Sequence, residues 1–358
     1  MIASIYSVRD FKSWEQAGRS GLQPSLAPYG MEELANLGFT LTQAVEPRWL
    51  RSSAGKKMRE LETRAELPVS RTLLSAKATA RSDVALALLE RQGYAYSLLA
   101  QLGVRPWSCT PLAALTCWLA DEARTASPSR RAWLRRCTKK TDLFIYWSTN
   151  QHAILNERLG IADSRLFFVP FGISADYFYP RTAAEKDSYV LTAGLDRGRD
   201  YRTFMSAVGK LDYPVKVVCP RPLLKDLAIP ANVELLGLVD KARYRDLIQG
   251  AALVVVPIRP AVAYPTGQSV LLNAMACQVP TVVTDTCALS DYVRHGENTW
   301  AVAGEDPQAL RQGIARVLGD PALAAHIAAG GRSDVVETFN SAAMWQKIAP
   351  RLRALACR

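Results

Sequence analysis

Pro265-Thr-Gly-Gln-Ser-Val-Leu-Leu-Asn-Ala-Met-Ala-Cys-Gln-Val-Pro280 is the stretch that decides the fold. A polar glycine turn opens it, and an apolar run with helical spacing follows, so a helix is predicted to begin near Thr266. The first N–H groups of a helix and its positive dipole end favour an anion, and Gly267 lets the backbone approach that ligand closely. A diphosphate suits such a turn, although an ordinary helix start that only packs on a sheet explains the same pattern.

Short apolar runs on both sides of this helix predict buried parallel strands, because they are Val-rich and alternate with amphipathic segments. Helical spacing over Tyr201–Gly209 and Ala242–Gly250, each closed by a glycine, supports the same doubly wound α/β domain. Ligands of such a sheet bind beyond the carboxyl ends of its strands. The predicted strands are Tyr189–Thr192, Val215–Cys219, Val233–Leu236, Ala252–Pro257, Thr281–Thr284 and Thr299–Val302.

The first half predicts a second α/β domain, with strands at Ile2–Val8, Phe39–Val45, Val84–Leu88 and Leu143–Ser148. The charged stretch Arg51–Arg81 is weakly periodic and predicts a helix with a basic loop.

A second loop, Thr192-Ala-Gly-Leu-Asp-Arg-Gly-Arg-Asp200, follows the first strand of the later domain. Arg197 and Arg199 are suited to phosphate oxygens, since a guanidinium group forks onto them. Surface arginines paired with Asp196 and Asp200 are the alternative. Two anion-favouring loops at one sheet edge are less expected by chance than either alone, so a nucleotide diphosphate is predicted there.

These residues resemble the retaining glycosyltransferases of family 4 (group 1), which adopt the GT-B fold of two facing Rossmann-like domains. Phe168-Val-Pro-Phe-Gly-Ile-Ser-Ala-Asp-Tyr-Phe-Tyr-Pro180 is similar to the family's interdomain signature, and Leu271–Val283 is similar to its Leu-Leu-Glu-Ala-Met-Ala-x-Gly-x-Pro-Val-Val. His295-Gly-Glu-Asn298 resembles a further turn of the family. The resemblance covers about residue 143 to the end.

The resemblance implies roles for individual residues. Arg197 matches the basic residue that contacts the donor diphosphate, and Leu238 and Val239 match the segment that meets the base. Gly194, Gly267, Gln268, Ser269 and Asn273 complete the implied donor-binding set, with Arg197 and Arg199 as the catalytic arginines.

The sequence departs from the family pattern at three places. Asn273 replaces the second glutamate of the Glu-x7-Glu motif, a ribose ligand, and Pro265 replaces the first. Leu195 replaces an arginine that often follows the glycine of the first loop, and Arg199 is the candidate to compensate. In the first half, the family's histidine is absent, and the acceptor-side candidates are Gly18, Arg19 and His152; turn residues and a helix-start histidine are the alternatives.

Composition limits the other classes of function. The net charge is +11, and most of the basic excess lies in residues 1–171. This excess indicates an anionic partner or a solvated basic surface.

The seven cysteines form no CxxC pair and the three histidines are scattered, so we expect reduced thiols and no metal. Since no signal peptide or membrane-length apolar run appears, we expect a cytoplasmic protein with at most peripheral membrane contact.

The sequence thus predicts a metal-independent, retaining glycosyltransferase with an acceptor domain (1–171), a donor domain (172–338) and a terminal helix (339–358) that returns to the first domain. Its partners would be a nucleotide sugar and an acceptor glycan, lipid carrier or small molecule. Three alternatives stay open: a sugar-nucleotide epimerase, a catalytically idle partner subunit, and a nucleic-acid-modifying enzyme. The absence of a paired-carboxylate motif disfavours the first, and the absence of a base-stacking aromatic pattern disfavours the last.

Overall fold

The computed structural model describes residues 1–44, 47, 50, 52–181 and 188–357 of the 358-residue chain. The chain divides into two compact units. The N-terminal unit comprises Met1–Glu15, Met31–Val169 and Trp345–Arg358, and the C-terminal unit comprises Gln16–Gly30 and Pro170–Met344. The short segment 16–30 therefore belongs with the later half of the chain, whereas the domain boundaries expected from the sequence place it in the first domain.

The N-terminal unit is built on a parallel sheet that has six strands among the described residues, in the order β2-β1-β3-β4-β5-β6. Strands β3, β4 and β5 are buried along their whole length, which explains why they are apolar without alternation. The strands are β1 (Ile2–Tyr6), β2 (Thr40–Thr42), β3 (Val84–Ala87), β4 (Leu112–Thr116), β5 (Leu143–Tyr146) and β6 (Leu166–Phe168).

The C-terminal unit has a second parallel sheet, again of six strands within the described ranges, in the order β12-β11-β10-β7-β8-β9. Its two halves wind outward in opposite directions from the neighbours β7 and β10, so the sheet has a topological switch point between them. The strands are β7 (Val190–Ala193), β8 (Val215–Val218), β9 (Val233–Leu235), β10 (Leu253–Val256), β11 (Thr281–Thr284) and β12 (Trp300–Val302).

Helices cover both sheets, and their apolar faces form the cores. In the C-terminal unit, Phe204 and Ile314 on two different helices pack with Val255 of β10 in one buried cluster. The helices are α1 (Phe11–Arg19), α2 (Glu33–Asn36), α3 (Ser53–Ala65), α4 (Val69–Leu74), α5 (Ala76–Thr79), α6 (Tyr94–Gln101), α7 (Leu119–Thr125), α8 (Pro128–Thr138), α9 (Gln151–Leu159), α10 (Tyr201–Val208), α11 (Lys241–Gly250), α12 (Gln268–Ala276), α13 (Pro307–Leu318), α14 (Pro321–Glu337) and α15 (Ser341–Ala356).

The last helix, α15, ends in the N-terminal unit. There the guanidinium carbon of Arg351 lies 4.8 Å from the ring centre of Phe167, and that of Arg353 lies 5.2 Å from the ring centre of Phe39. Both are cation–π contacts, which hold the end of the helix on this unit.

The predicted α/β class with two doubly wound sheets is confirmed, and all six strands predicted in the later half are present. The first half contains two further strands, β4 and β6, that the sequence analysis missed. Strand β4 is rich in alanine, which has a low strand propensity, and β6 has three residues, so neither gives a clear pattern. The expected strand Phe39–Val45 is limited to Thr40–Thr42, and Val45 and Arg51 lie outside the described residues.

No helix within the described ranges is long and apolar enough to span a bilayer.

Candidate nucleotide-sugar site

The candidate site lies at the carboxyl ends of β7 and β10, where the C-terminal sheet has its switch point. The loop Gly194–Asp200 follows β7, and the loop 257–267 connects β10 to α12. Two backbone hydrogen bonds join the loops directly: Asp200 N donates to the Pro257 carbonyl (3.1 Å), and Arg259 N donates to the Gly198 carbonyl (2.9 Å). The two turns predicted to converge on one ligand are therefore in contact.

Asp196 is the main polar link between these loops. Its Oδ1 atom accepts hydrogen bonds from the Gly198 N–H (2.9 Å), the Tyr264 hydroxyl (2.9 Å) and the Thr266 hydroxyl (2.6 Å). An ionised carboxylate offers about four acceptor positions, so a single side chain can hold three donors from two loops. Asp196 thus fixes the loop before α12 to the loop after β7.

Arg199 lies inside this junction and is 4% exposed. Its Nε atom is 3.5 Å from Asp196 Oδ2, a charge contact. Neither Nε nor Nη1 has a hydrogen-bond partner in the part of the chain that the structure describes. A buried cation with unsatisfied donors is costly unless an anion accepts from it. The site therefore holds a positive charge that an anionic ligand would complete.

Glycines provide the space for this guanidinium group. A Cβ atom on Gly194 would stand 2.4 Å from Arg199 Nε, which is far inside van der Waals contact. Gly267, the residue before α12, has φ +81°, and a Cβ atom there would be 3.2 Å from Arg199 Nη1. The amino end of α12 and the Arg199 side chain therefore lie side by side. Within the described residues no side chain caps α12, so its positive end is directed at the same place.

Asn273 lies in the second turn of α12, is buried, and hydrogen-bonds with the hydroxyl of Tyr244 on α11. Burial raises the pKa of Tyr244 to about 12, although the bond with Asn273 and the charge of Arg199 both lower it. The Oδ1 atom of Asn273 has no hydrogen-bond partner among the residues described here. Asn273 and Tyr244 thus form a hydrogen-bonded pair that is close enough to Arg199 to be affected by its charge. The unsatisfied Oδ1 atom of Asn273 suits a ligand hydroxyl.

Part of the C-terminal unit is similar to a known protein family. Residues 202–320 match the family model described as Glycosyl transferases group 1. This segment includes α12 and the loop before it. About a third of the chain, all of it in the C-terminal unit, thus resembles the group 1 glycosyltransferases.

The curated relatives that the chain matches are distant. An exopolysaccharide phosphotransferase of Streptomyces coelicolor is 30% identical over 182 residues, which are 47% of this chain and 19% of the relative. The chain spans less than a third of the length of the curated relatives it matches.

Solved structures resemble the chain over nearly its whole length. Sucrose-phosphate synthase from Thermosynechococcus elongatus has 19% identity and a TM-score of 0.72, with 99% of each chain covered. HepE of Anabaena, solved in complex with UDP-glucose, has 14% identity and a TM-score of 0.70, again with 99% of each chain covered. These similarities show that the fold is GT-B, as predicted.

The other predicted donor residues lie near Arg199 or on other loops of the C-terminal unit. Arg197 is exposed, in contrast to the buried Arg199. In the first turn of α12, Ser269 is exposed and Gln268 is buried. Leu238 is 68% exposed and Val239 is half-buried, both after β9, where Gly237 has φ +67°. Their roles in donor binding stay predictions.

The predicted acceptor-side residues divide between the two units. Gly18 and Arg19 end α1 and belong to the C-terminal unit, where a Cβ atom on Gly18 would be 2.5 Å from the Ser25 carbonyl oxygen. His152 is in the N-terminal unit, with Nδ1 2.6 Å from the Tyr146 hydroxyl and Nε2 3.1 Å from Asp163 Oδ1. Both ring nitrogens of His152 are thus engaged within its own unit.

Sequence reasoning missed several residues of the site. The sequence analysis named Asp196 only as a surface partner for arginine and Thr266 only as the start of a helix, and it did not name Tyr264 or Tyr244. The available signal was the Asp196-Arg-Gly-Arg199 spacing. An aspartate two residues before a glycine can accept a hydrogen bond from the glycine N–H, which closes a tight turn.

Within the described ranges no three His, Cys, Asp or Glu side chains are arranged to hold a metal, and metal independence stays a prediction.

Proposed function

We propose that this protein transfers a sugar from a nucleoside-diphosphate donor to an acceptor with retention of anomeric configuration. The observation that carries the proposal is the buried Arg199 guanidinium beside the uncapped amino end of α12. A diphosphate is the leaving group of such a transfer and gains negative charge as the glycosidic bond breaks. Fixed positive groups at that position stabilise the transition state more than the ground state.

In this proposal Arg199 and the backbone N–H groups of residues 267–269 bind the diphosphate. Asn273 binds the ribose through its amide, and the segment at Leu238 and Val239 meets the base. Arg197, which is exposed, makes an outer contact with the phosphates. The Asp196 hydrogen bonds keep both loops in place while the charge develops, so little reorganisation is needed.

The structural neighbour solved with UDP-glucose supports a nucleotide sugar as the donor class. We propose a glycan, a lipid carrier or a small molecule as acceptor. The site as proposed uses positive groups of the chain itself on the diphosphate, so we expect turnover to persist when divalent cations are chelated.

The test is to incubate the full chain with a panel of nucleotide sugars and to follow the anomeric proton of the sugar by NMR. We expect slow release of nucleoside diphosphate, which continues in the presence of EDTA. We also expect that the sugar product, when first formed, has the same anomeric configuration as the sugar of the donor. Inverted product would overturn the retaining assignment. Donor binding without any turnover, even with acceptor mixtures, would favour a catalytically idle subunit.

The relative named a phosphotransferase gives a second candidate, transfer of a sugar phosphate. The two reactions break different bonds. Glycosyl transfer cleaves the sugar C1–O bond and releases nucleoside diphosphate, whereas sugar-phosphate transfer cleaves the diphosphate and releases nucleoside monophosphate. Phosphorus NMR of the same reactions distinguishes the two, and we expect the diphosphate.

A further inference from the structure

The carboxyl edge of the C-terminal sheet has an exposed side chain after each of three neighbouring strands. Leu195 follows β7 and is 66% exposed, Leu238 follows β9 and is 68% exposed, and Arg221 follows β8 between them and is exposed. One exposed leucine alone is ordinary. A cation between two apolar side chains is different, because this combination suits the apolar faces and the polar rim of a flat heterocyclic ring.

The three strand ends lie at the same level of the sheet. Gly194 N donates to the Val218 carbonyl (3.1 Å), which joins the end of β7 to the end of β8. Leu236 N donates to the Val217 carbonyl (2.9 Å), which joins the end of β9 to the same strand. Neighbouring strands are about 4.8 Å apart, so the row from β7 to β9 spans about 10 Å. One ligand of modest size can therefore contact all three loops.

The turn that carries Arg221 is fixed to the core of this unit. Pro220 and Pro222 flank Arg221, and each proline ring limits the backbone to one φ value. Leu223 N donates to the Pro220 carbonyl (3.0 Å), and the buried Leu224 packs in the same cluster as the strands of the sheet. The backbone of Arg221 is thus held at the sheet edge, so little order is lost when its side chain binds a ligand.

The other half of the same edge is covered by the chain itself. Pro260 lies over the end of β12, since a Cβ atom on Gly304 would be 2.2 Å from its ring. Ile258 N donates to Thr284 Oγ1 at the end of β11 (3.0 Å). A nucleotide whose diphosphate lies beside Arg199 therefore has more room over β8 and β9 than over β11 and β12.

The polar pair on α11 and α12 indicates the same direction. The Asn273 side chain hydrogen-bonds with Tyr244, so it faces α11, the helix that begins just after the Leu238 loop. Its Oδ1 atom has no hydrogen-bond partner in the described ranges. A ribose that donates to this atom has its base on the side of β8 and β9, where Arg221 is exposed.

We propose that Arg221 reads the base of the donor nucleotide and selects uracil and guanine over cytosine and adenine. A guanidinium group donates hydrogen bonds and accepts none. Uracil O4 and guanine O6 and N7 accept such bonds, whereas cytosine and adenine present an amino group where uracil and guanine have the carbonyl oxygen. Leu195 and Leu238 contact the apolar faces of the base. This inference rests on the proposed function, since it specifies the base of that donor.

Isothermal titration of the full chain with two matched pairs of nucleotides tests the proposal. UDP and CDP differ at position 4 of the ring. Inosine diphosphate has the O6 and N7 edge of guanine and is compared with ADP, which has an amino group at position 6. We expect the carbonyl member of each pair to bind at least about fivefold more tightly than the amino member, as for one good arginine–base contact. Equal affinity within a pair that binds, or tighter binding of its amino member, overturns the proposal.

Variants assign the preference to Arg221. Arg221→Gln should abolish it, because an amide can turn either its oxygen or its NH₂ group to the base. Arg221→Glu should reverse it, since a carboxylate only accepts hydrogen bonds. Lys210→Gln is the matched control: it removes one exposed positive charge before β8, at the opposite edge of the same sheet, and should leave the preference unchanged.

The two Arg221 variants also distinguish a base contact from a phosphate contact. A base preference that survives in both variants overturns the proposal, because another group then reads the base. Weaker binding of all four nucleotides by the same factor would place Arg221 on the phosphates and would overturn it too.

Nucleotide binding by wild type keeps this proposal apart from the proposed function. If nucleoside diphosphates bind without a base preference that depends on Arg221, the base assignment fails and the proposed donor site stands. If none of the four nucleotides binds, the proposed function itself fails.

Discussion

Arg199 Nη1 lies 3.2 Å from the place where a Cβ atom on Gly267 would be, so a buried guanidinium group lies beside the amino end of α12. The two residues are 68 positions apart in the sequence and follow different strands of one sheet. Neither group has a local counter-charge that satisfies it fully. This pairing is the basis of the predictions on donor binding.

The first prediction concerns the stability of the free protein. Because Arg199 is buried with unsatisfied donors, Arg199→Met should leave the free energy of unfolding unchanged or raise it by about 1 kcal/mol. Arg332→Met is the control, since Arg332 Nη1 donates to the carbonyls of Ala175, Phe178 and Ala276. That variant should lose about 2–4 kcal/mol. Urea unfolding measures both, and a loss above about 2 kcal/mol for Arg199→Met would mean that Arg199 is structural.

The second prediction concerns the turn before α12. Gly267→Ala places a Cβ atom 2.7 Å from Val256 and 2.8 Å from Ile258 in a left-handed backbone conformation. Backbone strain of about 1 kcal/mol and overpacking of about 1–3 kcal/mol should both destabilise the protein. Gly296→Ala has a similar φ of +78° with no described atom within 4 Å, so it should show the strain alone. Equal losses in thermal unfolding would contradict the close packing at Gly267.

The third prediction concerns the ribose. If Asn273 binds it, Asn273→Ala should weaken a nucleoside diphosphate about threefold to tenfold, as expected for one neutral hydrogen bond. The same variant should have a smaller effect on the 2′-deoxy form of that nucleotide. Isothermal titration of both nucleotides measures the difference, with exposed Asn36→Ala as the control. An equal loss of affinity for the ribonucleotide and the deoxynucleotide would mean that Asn273 does not bind the ribose and acts only by holding Tyr244 in place.

The fourth prediction concerns alkaline pH. Burial raises the pKa of both Tyr244 and Tyr6 from 10 to about 12. A group whose pKa is higher in the folded state stabilises that state fully below pH 10, and the contribution is lost as pH rises from 10 to 12. About 2–3 kcal/mol per tyrosine should be lost over this range. Unfolding measured at pH 9, 10, 11 and 12 tests the effect, and Tyr244→Phe should flatten the decline. Stability that is constant to pH 12 would refute it.

The sequence predicted the C-terminal sheet well for a physical reason. Its central strands β7, β10 and β11 are buried along their whole length and are rich in apolar residues, and neighbouring helices pack apolar side chains against them, so local pattern and final packing agree. In the N-terminal unit the alanine-rich Leu112–Thr116 becomes a strand because its neighbours on both sides bury it, which no local pattern reports.

The site was predicted in outline, and its details depend on tertiary packing. The convergence of the loops at Arg199 and Gly267 followed from strand order, because ligands bind beyond the carboxyl ends of doubly wound strands. The family resemblance gave the diphosphate contact to Arg197, and charge alone could not rank Arg197 against Arg199, since both follow the same strand. The structure separates them: Arg199 is buried over Gly194, and Arg197 is exposed. The role of Asp196 depends on Tyr264 and Thr266, which are 68 and 70 residues away along the chain.

The most direct test of the central claim is the affinity of wild type and Arg199→Met for nucleoside diphosphates and the matching monophosphates, measured by isothermal titration on folded protein. We predict that wild type binds one diphosphate at least tenfold more tightly than its monophosphate, and that Arg199→Met loses this preference, since a charge-assisted hydrogen bond contributes about 1.5–3 kcal/mol. Exposed Arg197→Met should retain most of it. Equal diphosphate affinity in wild type and Arg199→Met, or no diphosphate binding by wild type, would contradict the account.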